Sequence, residues 1–142
     1  MKVAVIGTRR APSTIAARIL PYLPASTTEL VSGGAEGVDR AAEEIASALS
    51  LPIRRFLPDY EKYGRRAPLI RNLEIIQYAD EVIAFWDGTS RGTMHSVAEC
   101  IRLGKPVRVV PLKALSPAGS PLPYDTSERL EQTNHERCKR QN

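Results

Sequence analysis

Apolar and polar positions alternate along this chain in a way that predicts strands and helices in strict succession. Val3-Ala4-Val5-Ile6 is a short apolar, β-branched run that stops at Gly7, the pattern of a strand buried on both faces. Pro12-Ser13-Thr14 opens a helix to about Tyr22, with Pro12 suited to the first turn and Ser13 or Thr14 to the cap. Glu29-Leu30-Val31-Ser32 reads as a second strand, and Gly33-Gly34-Ala35-Glu36-Gly37 breaks the chain sharply after it. Val38 to Ser50, rich in Ala and Glu, predicts a helix. Ile53-Arg54-Arg55-Phe56 is a third strand entered through Pro52, and residues 57–65, with Pro58 and Gly64, read as a loop.

The second half repeats the scheme. Pro68 to Tyr78 carries Leu69, Ile70, Leu73, Ile75 and Ile76 at helical spacing. Glu81 to Trp86 is the clearest strand, and Asp87 to Arg91 is a polar loop. Gly92-Thr93 opens a helix through Leu103, closed by Gly104 and Pro106, and Val107 to Val110 is a fifth strand. Strands separated by helices imply a parallel sheet covered on both faces, with right-handed crossovers. The expectation is a Rossmann-like, three-layer α/β/α fold with a five-stranded parallel sheet in the order 3-2-1-4-5. Ligands bind such sheets at the carboxyl ends of the strands, where the order reverses. This domain is expected over residues 1–111. Pro117, Pro121 and Pro123 then introduce a polar stretch with few large aliphatic residues, so 112–142 reads as a Pro-rich linker and poorly structured tail.

Composition narrows the class. A chain of 142 residues is of single-domain size and long enough to bury a core without disulfides or metals. It has no apolar run of about 18 residues, so no membrane span is expected, and the apolar start is too short for a signal peptide. Cys100 and Cys138 form no CxxC, which makes a reducing, cytoplasmic setting the default. His95 and His135 match no zinc motif, and no metal or cofactor is expected. Lys and Arg number 20 against 16 Asp and Glu, a net charge of +4. Residues 54–71 carry that whole excess, with Arg54, Arg55, Lys62, Arg65, Arg66 and Arg71 against Asp59 and Glu61. The stretch is either a solvated face or an anion-facing rim. Scarce aromatics (Trp86, Phe56, Phe85 and five Tyr) argue against stacking platforms for single strands.

Three loops fall at carboxyl ends of strands: Gly7-Thr8-Arg9-Arg10, Ser32 to Asp39, and Asp87 to Thr93. Each joins glycines and hydroxyls to a helix start, where free N–H groups and the positive dipole end attract phosphate. Neither GxxxxGK[ST] nor GxGxxG is present, which disfavours an ordinary P-loop NTPase and a nicotinamide dehydrogenase.

With these residues in place, the chain resembles the SMF/DprA–LOG superfamily. Gly7-Thr8-Arg9, Ser32-Gly33-Gly34-Ala35-Glu36-Gly37-Val38-Asp39, Arg71-Asn72 and Gly88…Gly92-Thr93 carry the resemblance across residues 1–111. The Pro58-Asp59…Tyr63-Gly64 loop ahead of Arg71-Asn72 is similar to small stand-alone bacterial and phage members related to YspA and YpsA. The resemblance implies a Rossmann-like domain binding a nucleotide or nucleotide-derived phosphate ligand, and commonly a homodimer or larger homo-oligomer. The candidate ligand-binding set is Gly7, Thr8, Arg9, Ser32, Gly33, Gly34, Gly37, Asp39, Arg71, Asn72, Gly88, Gly92 and Thr93.

Within that set Arg71 is the first choice for a phosphate contact, since a guanidinium grips phosphate bidentately; the alternative is a surface arginine or an ion pair with Glu74. Asn72 either bonds a ribose or holds a neighbouring loop. Gly92 and Thr93 are expected to supply a cap and an anion-facing amide. Asp39 is either a helix-start carboxylate or a pocket organiser. Trp86 either stacks on a base or packs. His95 beside the third loop is a candidate phosphate donor or an incidental residue, and Cys100 reads as packing.

The enzyme question turns on one position. Related phosphoribohydrolases carry Gly-Thr-x-x-Glu, whose glutamate assists N-glycosidic cleavage. Here Ser96 stands at that position, and Glu99, three residues on, is the remaining candidate catalytic carboxylate, facing the pocket or pairing with Arg102. The primary expectation is a nucleotide-binding sensor, carrier or sequestering module. The alternatives are a nucleoside 5′-monophosphate N-glycosidase and a DprA-like binder of single-stranded DNA, which the basic 54–71 stretch favours.

Overall fold

The computed structural model describes residues 1–112; the expected tail lies outside the described residues apart from Leu112. The elements run β1 (Lys2–Gly7), α1 (Ile15–Ile19), β2 (Glu29–Ser32), α2 (Val38–Ala48), β3 (Ile53–Arg55), α3 (Tyr60–Tyr63), α4 (Ala67–Tyr78), β4 (Glu81–Trp86), α5 (Arg91–Leu103) and β5 (Val107–Pro111). The five strands form one parallel sheet in the order β3-β2-β1-β4-β5. This is the expected Rossmann-like α/β fold.

Strand periodicity sorts the core into two halves. Val3 and Val5 of β1 pack with Ile83 and Phe85 of β4 under α1 and α2. Ala4 and Ile6, with Val82 and Ala84, pack under α4 and α5. Successive residues of one strand thus serve opposite faces of the sheet, and these central strands are buried on both. Helices α1 and α2 cover one face and α4 and α5 the other, so the crossovers part company between β1 and β4. That is the switch point of the sheet.

Several boundaries differ from the sequence expectation, each for a local reason. The first helix starts late, at Ile15, and Thr14 makes no side-chain capping bond. It changes to a tight 3-10 turn at Leu20–Tyr22, because Pro21 has no N–H to donate to the carbonyl one turn back. Helix α2 stops at Ala48 rather than Ser50, which adopts a left-handed φ of +54°. Phe56 lies beyond β3, although its N–H still bonds the Ser32 carbonyl at 2.9 Å.

The segment expected to be a loop over 57–65 contains α3, whose cap is Asp59: its carboxylate accepts the Lys62 N–H at 3.1 Å. A 3-10 turn, Gly64–Arg66, leads from it into α4. Helix α5 begins at Arg91 with Ser90 as its N-cap, which corrects the expected cap at Gly92-Thr93. Thr93 sits three residues inside and faces the Ser90 hydroxyl at 3.1 Å. No helix among the described residues is long and apolar enough to cross a membrane.

Candidate functional site

The loop after β1 is bound tightly to its neighbours. A Cβ on Gly7 would collide with the Phe85 carbonyl and the Val38 side chain, so glycine lets β1 end flush against β4 and α2. The Thr8 N–H and hydroxyl both donate to the Phe85 carbonyl, at 3.1 and 3.3 Å. The same hydroxyl accepts the Asp87 N–H at 3.1 Å, and the Thr8 carbonyl accepts the Val38 N–H at 3.2 Å. Thr8 is buried; it stitches three elements together at the switch point.

The loop after β2 is equally occupied with itself. The Ser32 hydroxyl donates to the Asp39 carbonyl at 3.3 Å and accepts the Gly34 N–H at 3.1 Å. The Asp39 carboxylate accepts the Ala35 N–H at 3.4 Å. Gly34 and Gly37 hold left-handed φ values of +71° and +74°. A Cβ on Gly33 would fall 2.9 Å from both Arg71 Nη1 and Asp39 Oδ2, so guanidinium and carboxylate flank that glycine.

Arg71 reaches this loop from α4. It is only 8% exposed, Nη1 donates to the Gly33 carbonyl at 2.7 Å, and Nε donates to Asn72 Oδ1 at 2.9 Å. The expected alternative partner, Glu74, is not the one it bonds. Asn72 therefore holds a side chain of the cleft as well as lining it. Burial is the largest influence on both charged groups here. It pushes the Asp39 carboxyl up to about 6, against the lowering effects of the Ala35 amide and Arg71. It also lowers Arg71, which Asp39 partly restores and Arg9 opposes.

The loop after β4 is shaped by Asp87. Its Oδ1 accepts the N–H groups of Thr89 and Ser90, both at 2.8 Å, and these bonds hold the carboxyl below the usual range. The Trp86 indole donates to the Ser90 carbonyl at 2.9 Å, so its polar edge braces this loop. The N–H groups of Arg91, Gly92 and Thr93 fall in the first turn of α5, where no intrahelical acceptor is available.

Between these loops lies a cleft of about 370 Å³, within the range of small-molecule sites. Of the expected residues it brings together Gly7, Thr8, Arg9, Asp39, Arg71, Asn72, Gly92 and Thr93. Ser32, Gly33, Gly34 and Gly37 stand behind it and shape the β2 loop, and Gly88 lies outside it. Arg10, Asp87, Ser90 and Ser96 complete the polar lining. Pro68, Leu69 and Ile75 of α4, with Ile6, give an apolar wall that the sequence reading did not assign to the site. Ile6 and Ile75 are core residues at the edge of the cleft, and the position of α4 over the strand ends brings Pro68 and the exposed Leu69 to the same wall.

Two alternatives left open by the sequence are separated by the structure. Glu99 does not line the cleft; its carboxylate pairs with Arg102, Nε at 2.9 Å and Nη2 at 2.6 Å. It lies one turn along α5 from the cleft wall, while the buried Ser96 lines the cleft and donates to the Gly92 carbonyl at 3.2 Å. Of the basic 54–71 stretch, only Arg71 enters the cleft. Arg55 pairs with Glu43, and Arg54 lies over the Phe56 and Tyr78 rings at 5.2 and 5.6 Å. His95 is outside the lining, and Cys100 is fully buried with its thiol pushed up to about 11 by that burial. Among the described residues, no group of three or more His, Cys, Asp or Glu is placed to hold a metal ion.

No family model matches the chain. The Gene 61 protein of Mycobacterium phage D29 is 34% identical over 84 residues, 55% of this chain and 67% of that protein. DNA processing protein A from Helicobacter pylori, described for its single-stranded DNA binding mode, matches with a TM-score of 0.64 and 26% identity. The match covers 94% of this chain and 73% of that one. DNA processing protein A from Streptococcus pneumoniae matches with a TM-score of 0.65 at 21% identity, covering 93% of this chain and 56% of that one. The last likeness is one of fold, to a protein of which this chain spans little more than half.

Proposed function

The chain belongs to the family of the phage D29 Gene 61 protein and to the SMF/DprA–LOG superfamily, and from that premise we propose that its cleft binds a nucleotide or nucleotide-derived phosphate ligand. The observation that carries this reading is the convergence of Arg9, Arg10 and Arg71 with the start of α5 around one cleft. Guanidinium groups and unpaired helix-start N–H groups are the two donor types that hold phosphate. The apolar wall of Pro68, Leu69 and Ile75 offers a surface for a base. The domain over 1–111 acts as a sensor, carrier or sequestering module of the small stand-alone YspA/YpsA-related type, in the cytoplasm and as a homo-oligomer.

Binding alone accounts for the residues present. The hydrolase alternative needs a carboxylate near the sugar, and Glu99 pairs with Arg102 outside the cleft lining while Ser96 occupies the matching position. The single-stranded DNA alternative has one specific support: the Helicobacter pylori neighbour, at 26% identity, is described for that binding. Lys62, Arg65 and Arg66 on and after α3 are exposed and suit a polyanion.

The test is one incubation with nucleoside monophosphates, ADP-ribose, cyclic ADP-ribose and a short DNA oligonucleotide. Native mass spectrometry reports bound mass, and chromatography reports free base. An intact bound nucleotide that disappears in Arg71→Ala supports the reading. Free base with turnover establishes the hydrolase instead. Binding of the oligonucleotide alone, weakening steeply with salt, establishes the DNA binder.

A further inference from the structure

A cleft built for phosphate gains nothing from carboxylates, yet this one has two, Asp39 and Asp87. Asp39 is accounted for internally: it is buried beside Gly33, it accepts the Ala35 N–H, and the Arg71 guanidinium flanks the same glycine and attracts it. Asp87 is different. Its own N–H is fixed by the buried Thr8 hydroxyl, and its Oδ1 is fixed by the Thr89 and Ser90 amides. The carboxylate is thereby held in one place and ionised.

Counting acceptors shows what it is free to do. Each carboxylate oxygen has two lone-pair positions. Those of Oδ1 are taken by two amides at 2.8 Å. Oδ2 takes no hydrogen bond within 3.5 Å from the described residues, although the adjacent Thr89 hydroxyl also helps to hold the carboxyl down. An ionised oxygen on the wall of an anion cleft repels a phosphate and calls for a donor on the ligand. Two kinds of donor occur in a nucleotide. The guanine edge presents parallel N–H donors that engage both oxygens of a carboxylate together, and here one oxygen is already filled; the amino group of adenine or cytosine offers a single N–H and fills only one of the two positions on Oδ2. The hydroxyls of a cis-diol rotate independently and converge on a single oxygen.

We infer that Asp87 Oδ2 accepts the vicinal hydroxyls of a ribose, so that the cleft takes ribonucleotides in preference to 2′-deoxyribonucleotides and DNA. The inference rests on the nucleotide reading above and adds to it the class of sugar and the residue that selects it. The arginines hold the phosphate, and Asp87 fixes the sugar relative to it. The Ser90 and Thr93 hydroxyls, 3.1 Å apart, stand on the same loop and helix start.

The experiment measures dissociation constants of the full chain for the four ribonucleoside 5′-monophosphates, their 2′-deoxy counterparts and their 2′-O-methyl counterparts. A hydrogen bond to a charged acceptor is worth about tenfold to a hundredfold in affinity. The deoxy and 2′-O-methyl forms are therefore both expected to bind at least about tenfold more weakly than the ribose form. Asp87→Asn retains an oxygen for the Thr89 and Ser90 amides and puts a donor in place of Oδ2. In that variant the charged acceptor is gone and the amide can only donate to a ribose hydroxyl, so the ribose preference is expected to shrink severalfold. The 2′-O-methyl comparison needs no variant, so it stands even if Asp87→Asn fails to fold. Equal binding of ribose and deoxyribose forms by the wild-type chain overturns the assignment and leaves the nucleotide reading intact. A ribose preference that is undiminished in folded Asp87→Asn also overturns it. Binding of none of the nucleotides overturns the nucleotide reading, and this inference with it.

Discussion

Arg71 donates from Nη1 to the Gly33 carbonyl at 2.7 Å, fastening α4 to the loop that follows β2. The bond joins elements 38 residues apart and is buried. A guanidinium has five N–H groups; one serves Gly33 and one serves Asn72, which leaves others to face the cleft.

Arg71→Ala is therefore expected to act twice. It strands a buried carbonyl, which costs about 1–3 kcal/mol of stability in urea unfolding. It also removes a phosphate donor, and nucleotide affinity should fall by at least about tenfold in a titration. Arg71→Lys keeps the charge but offers a point donor in place of a fork. It should recover part of the stability and little of the affinity. Wild-type affinity in a folded Arg71→Ala would remove this residue from the ligand.

Gly37 separates backbone necessity from ligand contact. Its φ is +74°, and a Cβ there would be driven into the carbonyls of Thr8 and Arg9. Gly37→Ala should cost about 1–3 kcal/mol and, by displacing the Arg9 loop, weaken nucleotide binding as well. Gly104 has a similar φ of +69° at the end of α5, but nothing lies within reach of its Cβ and it is far along the chain from the cleft loops. Gly104→Ala should lose about 1 kcal/mol of stability with unchanged affinity. Paired thermal melts and titrations on the two variants check both statements.

Glu99→Gln tests whether the cleft needs that carboxylate. The side chain pairs with Arg102 and lies outside the lining. Nucleotide affinity, and any release of free base, should match wild type in a side-by-side assay. A loss of turnover in Glu99→Gln would return Glu99 to the active centre and overturn the binding-only reading.

Much of this arrangement is legible in the sequence because its signals are local. Short apolar runs give the strands, and their alternation with helices points to a doubly wound sheet such as the observed order β3-β2-β1-β4-β5. Helix α3 was not legible, since four residues are too few for periodicity and its stability rests on one Asp59 cap. The chemistry of the loops was legible only in part. Residue types showed that three loops carry glycines and hydroxyls, but not that Ser32, Asp39 and Asp87 already occupy the Gly34, Ala35, Thr89 and Ser90 amides. Those bonds leave the arginines and the first turn of α5 as the donors. Charge counting was informative only in part: of residues 54–71 it included Arg71, which lines the cleft, but also Arg54 and Arg55, which lie against ring and carboxylate partners.

The last prediction concerns Asp39, whose burial makes the fold itself sensitive to pH. Its carboxyl is pushed from the ordinary 3.8 to about 6, with burial outweighing the attraction of Arg71. Between those two pH values the folded chain keeps a proton that the unfolded chain has released. The stabilising contribution is therefore complete below about pH 4 and is lost as pH rises through about 6. The loss amounts to about 3 kcal/mol, an upper figure for a group in this setting. Asp39→Asn mimics the protonated form and cannot ionise. It should match wild type near about pH 4 and exceed it in stability near about pH 7, with a flatter profile between. Urea unfolding across this range is the measurement. An Asp39→Asn chain less stable than wild type at neutral pH would mean that the attraction of Arg71 outweighs burial. Asp39 would then act as an ionised brace for the arginine that holds Gly33.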